Sequence, residues 1–120
     1  MKCVPEPLAQ RYSIIKQIDI LNDLLDALKQ CDRDTSKEQR FLSEKISSHK
    51  HDLDMNLPAI EPIIDSIKGD FVAWIIVRLH YIHGYEWSAI SEQLILPERL
   101  VKAWCYQAMK KAYRSNRKKS

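Results

Sequence analysis

The chain has 120 residues, 45% hydrophobic and 29% charged, with two glycines and three cysteines. That balance excludes a disordered, fibrous or disulfide-framed chain and fits one compact unit with its own core; so few glycines also exclude a glycine-rich phosphate loop. The net charge of +3 is unevenly spread: residues 1–70 hold 10 Lys and Arg against 13 Asp and Glu, whereas residues 71–120 hold 9 against 3.

Apolar residues recur every three to four positions nearly throughout, which predicts an all-α fold. Residues 1–69 are expected to form an N-terminal helical hairpin with a short bridging helix, and residues 70–120 a second helical unit with a basic tail. Residues 1–7, with Pro5 and Pro7, lead into a helix from Leu8 to about Gln30. In it Ile14, Ile18, Leu21, Leu25 and Leu28 are spaced 4-3-4-3, a stripe that needs a partner helix. Asp19, Asp23, Asp26 and Lys16 are assigned to the opposite side.

Cys31-Asp32-Arg33-Asp34 breaks the pattern and reads as a turn. Thr35-x-x-Glu38 has the form of a capping box, opening a second helix with Leu42, Ile46, His49 and Leu53 in a matching stripe. Two such stripes joined by a short link pack most simply as an antiparallel pair, with Leu25 facing Ile46. A homodimer through these N-terminal helices is the other use of the same stripes. Asn56-Leu57-Pro58 is expected to interrupt the helix, leaving a separate apolar segment from Ile60 to Ile67, with Pro62 in its first turn.

Asp70 can cap a helix beginning at Phe71, and Gly84 can end it in a left-handed conformation. A short helix fits Trp87 to Leu94, with Ala89, Ile90 and Leu94 inward. Pro97 suits the first turn of a third helix. That helix places Val101, Cys105, Ala108 and Ala112 on a buried face, and Arg99, Lys102, Tyr106, Gln107 and Lys110 on the other. A short helix, a tight turn and a longer helix with a basic polar face form the helix-turn-helix pattern.

No constellation of catalytic residues emerges, and no enzyme, cofactor or metal is expected. His80 and His83 share an i, i+3 spacing but lack further ligands in sequence, and are assigned to the surface. His49 and His51 are read as solvated at the end of the second helix. Trp74, Trp87 and Trp104 are assigned to the core of the helix-turn-helix unit. The cysteines at 3, 31 and 105 form no framework and are read as small apolar fillers or free surface thiols in a reducing compartment. The longest apolar run, Phe71 to Val77, is too short to span a bilayer, and Met-Lys-Cys-Val-Pro lacks a signal-peptide core. The expected location is the cytoplasm, with no membrane partner.

Residues 98–120 hold 8 Lys and Arg against a single acidic residue. Positive charge on the very element that would enter a groove points to a polyanion, and together with the helix-turn-helix spacing to double-stranded DNA. Arg99, Lys102, Ala103 and Tyr106 are predicted to read base edges from the N-terminal half of the third helix. Lys110, Lys111, Arg114, Arg117, Lys118 and Lys119 are predicted to neutralise phosphates.

The stretch V-R-L-H-Y-I-H-G-Y-E-W-S-A-I-S-E-Q-L resembles the helix-turn-helix of sigma-factor region four, with the pattern RLRYIxGxSWxEIAxxL. It is most similar to small phage late-transcription activators of the ArpU and RinA type. Arg78, Tyr81, Gly84, Trp87, Ile90 and Leu94 match in order and spacing, and Ala108 matches the alanine usual in the third helix. Ile95 replaces the usual glycine after the second helix, Pro97 the usual Ser or Thr cap, Ser91 the usual alanine, and Glu86 the serine before the tryptophan. The resemblance implies a phage or prophage transcription regulator that binds duplex DNA and contacts host RNA polymerase. Two other assignments share the pattern: a small terminase subunit that recognises a packaging site, and a helical adaptor or antiterminator acting on the polymerase complex.

Overall fold

The computed structural model describes the backbone of residues 4–119 and the side chains of residues 4–111. It is all-α: α1 spans Glu6–Lys29, α2 Ser36–Ser66, α3 Phe71–Val77, α4 Trp87–Leu94 and α5 Glu98–Lys119, with a π-helical turn at Arg78–Ile82 extending α3. No strand occurs among the described residues.

α1 and α2 pack side by side and antiparallel, joined by a short turn. Ile18 and Ile46 are buried between them, and Ile14, Leu21, Leu25, Leu28, Leu42, His49 and Leu53 are half-buried, as the two stripes require. The register differs from the expected one. Asn56 Nδ2 donates to the Pro7 carbonyl at 3.1 Å, Arg11 to the Leu53 carbonyl at 3.0 Å, and Thr35 Oγ1 to the Leu28 carbonyl at 2.9 Å. These ties set Ile46 opposite Ile18, about two turns from Leu25. Matching stripes say which faces meet, but the turn length decides which residues stand opposite.

The capping box at Thr35 does not form. Thr35 is 2% exposed, and its hydroxyl bridges the two helices by donating to Leu28 and accepting from Gln39 Nε2 at 2.8 Å. Asp34 serves the helix start instead, accepting from the Ser36 backbone N–H at 3.0 Å. Lys16 is also not on the solvent side with the aspartates. Its ammonium donates to the Gly84 carbonyl at 3.0 Å and pairs with Glu86.

The expected break at Asn56-Leu57-Pro58 is absent, and α2 runs unbroken through Pro58 and Pro62. A proline inside a helix forfeits one backbone hydrogen bond and crowds the carbonyl four residues back, at roughly 3 kcal/mol. Here both rings are exposed, and the inward face offsets that cost: Ile60, Ile63, Ile64 and Ile67 are all buried at helical spacing. Side-chain burial of this kind contributes about 1.5–3 kcal/mol for each large residue.

Those four isoleucines join Leu8 of α1 and Ala73, Ile76, Val77, Tyr81, Ile90, Val101, Cys105, Ala108 and Met109 in a single core. The core therefore crosses the expected 69/70 boundary, and the second half of α2 belongs to it. The far half of the α1/α2 pair extends beyond that core, giving overall extents of 56 × 35 × 21 Å.

Candidate nucleic-acid interface

Asp70 caps α3 as expected, from extended backbone, with a carboxylate oxygen accepting from the Ala73 N–H at 3.2 Å. Its other oxygen accepts from the Trp104 indole at 2.8 Å, tying the start of α3 to the middle of α5. Both hydrogen bonds hold the carboxyl below the usual range, the indole bond foremost. Trp74 and Trp87, half-buried like Trp104, pack on the core. Arg78 lies over Trp74 at 4.8 Å from the ring centroid.

The π-helical turn decides what α4 rests on. Its wider backbone ring is closed by the His83 N–H on the Arg78 carbonyl at 3.1 Å, and His80 and Tyr81 both turn inward, each 4% exposed. His80 is thus buried, contrary to its surface assignment, while His83 is exposed as expected. The His80 ring is sandwiched between Trp87, at 3.8 Å and 17°, and Tyr12, at 4.2 Å and 22°. Its Nδ1–H donates to the Tyr85 carbonyl at 2.7 Å. Burial lowers the His80 pKa below its ordinary value, against the opposing pull of that hydrogen bond and of Glu86. His49 and His51 lie within α2 rather than at its end; His49 is half-buried and His51 exposed.

Gly84 is left-handed, with φ +74°, and a Cβ there would stand 2.6 Å from Ile15 Cγ2. The glycine thus serves two purposes, ending the π turn and letting α1 lie close. The Lys16 hydrogen bond holds Glu86 below the usual carboxylate range. α1 therefore braces the π turn and the lead into α4 through Tyr12 on His80, Ile15 and Lys16 on Gly84, and Lys16 on Glu86.

α4 covers Trp87–Leu94, as predicted, with Ile90 buried and Ala89 and Leu94 half-buried. A Schellman-type cap ends it, in which the Leu96 N–H donates to the Ser91 carbonyl at 3.2 Å and Ser91 Oγ donates to the Leu96 carbonyl. The left-handed residue of that cap is Ile95, with φ 55° and 89% exposure. Pro97 stands one place ahead of its predicted position: it precedes α5, and its carbonyl accepts from the N–H groups of Leu100 and Val101, both at 3.0 Å.

On α5, Val101, Cys105, Ala108 and Met109 are buried. Burial pushes the Cys105 thiol up to about 12, so it carries no thiolate at neutral pH. Arg99, Ala103, Gln107 and Lys110 are exposed and follow one another at 4-4-3 spacing along the opposite face. Lys102 and Tyr106 are half-buried on the flank toward α4, where Tyr106 meets the Trp87 ring edge at 6.0 Å. Lys102 Nζ lies 3.4 Å from Glu98 Oε1, an exposed pair one turn apart. Lys111 is exposed on the other flank, beside the groove that Asp70 and Trp104 line.

The four predicted base readers thus share one end of α5, with Arg99 and Ala103 central and Lys102 and Tyr106 lateral. Lys110 continues the line and Lys111 flanks it, while the side chains of Arg114, Arg117, Lys118 and Lys119, and of Ala112, lie outside the described residues. Gln107, left out of the reading set, is as central as Ala103. Its spacing from Arg99 and Ala103 was the available signal. Leu100 and Ile95 add exposed apolar surface at the same end, at 45% and 89%.

The arrangement offers a helix with an exposed cationic and amide-bearing face, suited to a polyanion. Among the described residues there is no cluster of three or more potential metal ligands, and no helix is long and apolar enough to cross a membrane. Comparison with family models, with curated proteins and with solved structures returns no match for the chain.

Proposed function

We propose that the protein is a duplex-DNA-binding transcription regulator of the sigma-region-four-like helix-turn-helix type, encoded by a phage or prophage. α4 acts as the supporting helix and α5 as the recognition helix, entering the major groove with its N-terminal half. The observation that carries this reading is the exposed line Arg99, Ala103, Gln107 and Lys110. It begins immediately after the α4–α5 turn and lies on the segment with 8 cationic residues against one acidic.

Each residue type suits its place. Arg99 can pair bidentately with guanine O6 and N7, Gln107 with adenine N6 and N7, and Ala103 can meet a thymine methyl. Lys102 must leave Glu98 to reach DNA, a small cost for a solvent-exposed pair. In this reading Lys110 and Lys111 follow the phosphate backbone, and Arg114, Arg117, Lys118 and Lys119 are assigned to it from the sequence alone. Contact with host RNA polymerase belongs to the same proposal and rests on the sigma-like resemblance.

Selection of duplexes from a random pool by the purified protein tests the reading, with recovery of a common motif as the expected result. Binding to that motif should weaken steeply with salt. Deleting residues 114–120 should reduce the slope of log K against log salt by roughly 3–4, since four phosphate-facing cations are lost. Recovery of no motif, with no shift of any duplex at low salt, would refute the proposal.

A further inference from the structure

The α1/α2 pair carries a second heptad-spaced stripe that its own packing leaves open. On α2 this is Phe41, Lys45, Ser48, Asp52, Met55 and Ala59, spaced 4-3-4-3-4 and all exposed. Phe41 and Met55 are 58% and 69% exposed, among the largest apolar side chains left in solvent. On the same side of the pair, α1 presents Ser13, Gln17, Ile20, Leu24 and Ala27, also heptad-spaced, all exposed and none charged. Two shallow grooves run along this side, one between Ile20 and Phe41 and the other between Ile14 and Met55. The aspartates of α1, Asp19, Asp23 and Asp26, are kept off the stripe.

We infer that this face is a dimer interface, and that its occupant is a second copy of the same chain. The order of the α2 stripe carries the inference, because it is nearly its own mirror about Ser48. Turning a second α2 antiparallel about a two-fold axis at Ser48 sets Phe41 against Met55 of the other copy. The same operation brings Lys45 to within one residue, about 1.5 Å of helix rise, of Asp52 of the other copy, twice over and within side-chain reach. A two-fold contact demands this self-complementarity, with residue i meeting j and j meeting i. A stripe shaped for an unrelated partner has no need of it.

Within one chain Lys45 has no carboxylate partner among the described residues, and Asp52 has only the ring of His49. The Lys45 ammonium rests 5.6 Å over the Phe41 ring, and Asp52 meets the His49 ring at 4.0 Å. Across the axis each would gain an opposite charge, and Ile20 and Leu24 of α1 would widen the apolar seam. The dimer would be a four-helix arrangement of two antiparallel pairs, with the α3–α5 units at its two ends. No residue of the seam lies on α5, so the dimer stands or falls independently of DNA binding.

Charge reversal tests the pairing directly. Wild-type protein should sediment at twice the 14.1 kDa chain mass. Lys45→Asp and Asp52→Lys should each weaken the dimer at least about tenfold, because like charges then face each other at both ends of the seam. Mixing the two single variants should restore a dimer containing one chain of each kind. The double variant Lys45→Asp/Asp52→Lys should regain a homodimer, which also shows that neither change prevents folding. A wild-type chain that stays at 14.1 kDa at every concentration would overturn the inference. Single variants that remain as dimeric as wild type, or that fail to pair when mixed, would do the same.

Discussion

Ile95 shows how far a single residue can depart from its backbone. A β-branched side chain at φ 55° is costly, because its Cβ crowds the neighbouring carbonyl. At 89% exposure it gains almost nothing in return from packing. Ile95→Gly should therefore raise stability by about 0.5–1 kcal/mol, after allowing for the greater freedom of glycine in the unfolded chain. For a chain of this size that is a rise of roughly 2–5 °C in Tm, readable by thermal melting. A lower Tm would show that the isoleucine makes a stabilising contact here.

His80 yields a second test at the same scale. Burial depresses its pKa below the ordinary 6.5, so between the folded and unfolded values the unfolded chain binds more protons. Stability must then rise with pH across that window and fall as pH drops below about 6.5. The carboxylates held low, Glu86 and Asp70, lose their contributions only at more acid pH, below their ordinary 4.5 and 3.8. His80→Phe keeps an aromatic ring between Tyr12 and Trp87 but cannot titrate. Its stability should be flatter between pH 7.5 and 5.5 than that of wild type, as measured by denaturant unfolding; equal slopes would assign the acid sensitivity elsewhere.

At the scale of elements, most helices were legible in the sequence because their signals are local. The cap at Asp70, the left-handed Gly84 and the span of α4 depend on residues within one or two turns of each other. What was not legible depends on contacts from far along the chain. α2 runs through Pro58 and Pro62 because four isoleucines are held in a core built largely by α3 and α5. Thr35 gives up its capping role because α1 lies against it. His80 is buried because α1 lays Tyr12 over it, and Lys16 faces inward because Glu86 waits there. The corrected register also has a measurable consequence. Ile18→Ala and Ile46→Ala should be coupled in a double-mutant cycle by about 0.5–3 kcal/mol, whereas Leu25→Ala and Ile46→Ala should add within roughly 0.5 kcal/mol. Coupling of the second pair instead would restore the register first expected.

For the whole molecule, the sequence supplied the charge asymmetry and the helix carrying it, and the fold supplies the support beneath that helix. α5 is fixed by its buried residues, by the Trp104–Asp70 hydrogen bond and by the Tyr106–Trp87 contact. Its outward face stays uncovered as a result. The candidate readers Arg99 and Lys102 could be chosen from sequence because helical spacing sets direction. Their inequality could not, since the Glu98 pair and the lean of Lys102 toward α4 are properties of the packed structure.

Whether α5 reads base edges, as proposed, rather than merely attracting phosphate is tested most directly at Arg99. Competition binding of Arg99→Ala, set beside Lys110→Ala, should be measured on the selected duplex and on a random one. A lost bidentate contact to guanine is worth about 1–3 kcal/mol, so Arg99→Ala should weaken the selected site by roughly 10–100-fold and leave random binding nearly unchanged. Lys110→Ala, at a position proposed to lie over phosphate, should weaken both duplexes about equally. Equal losses for Arg99→Ala on the two duplexes, or none on either, would contradict a base-reading role for α5.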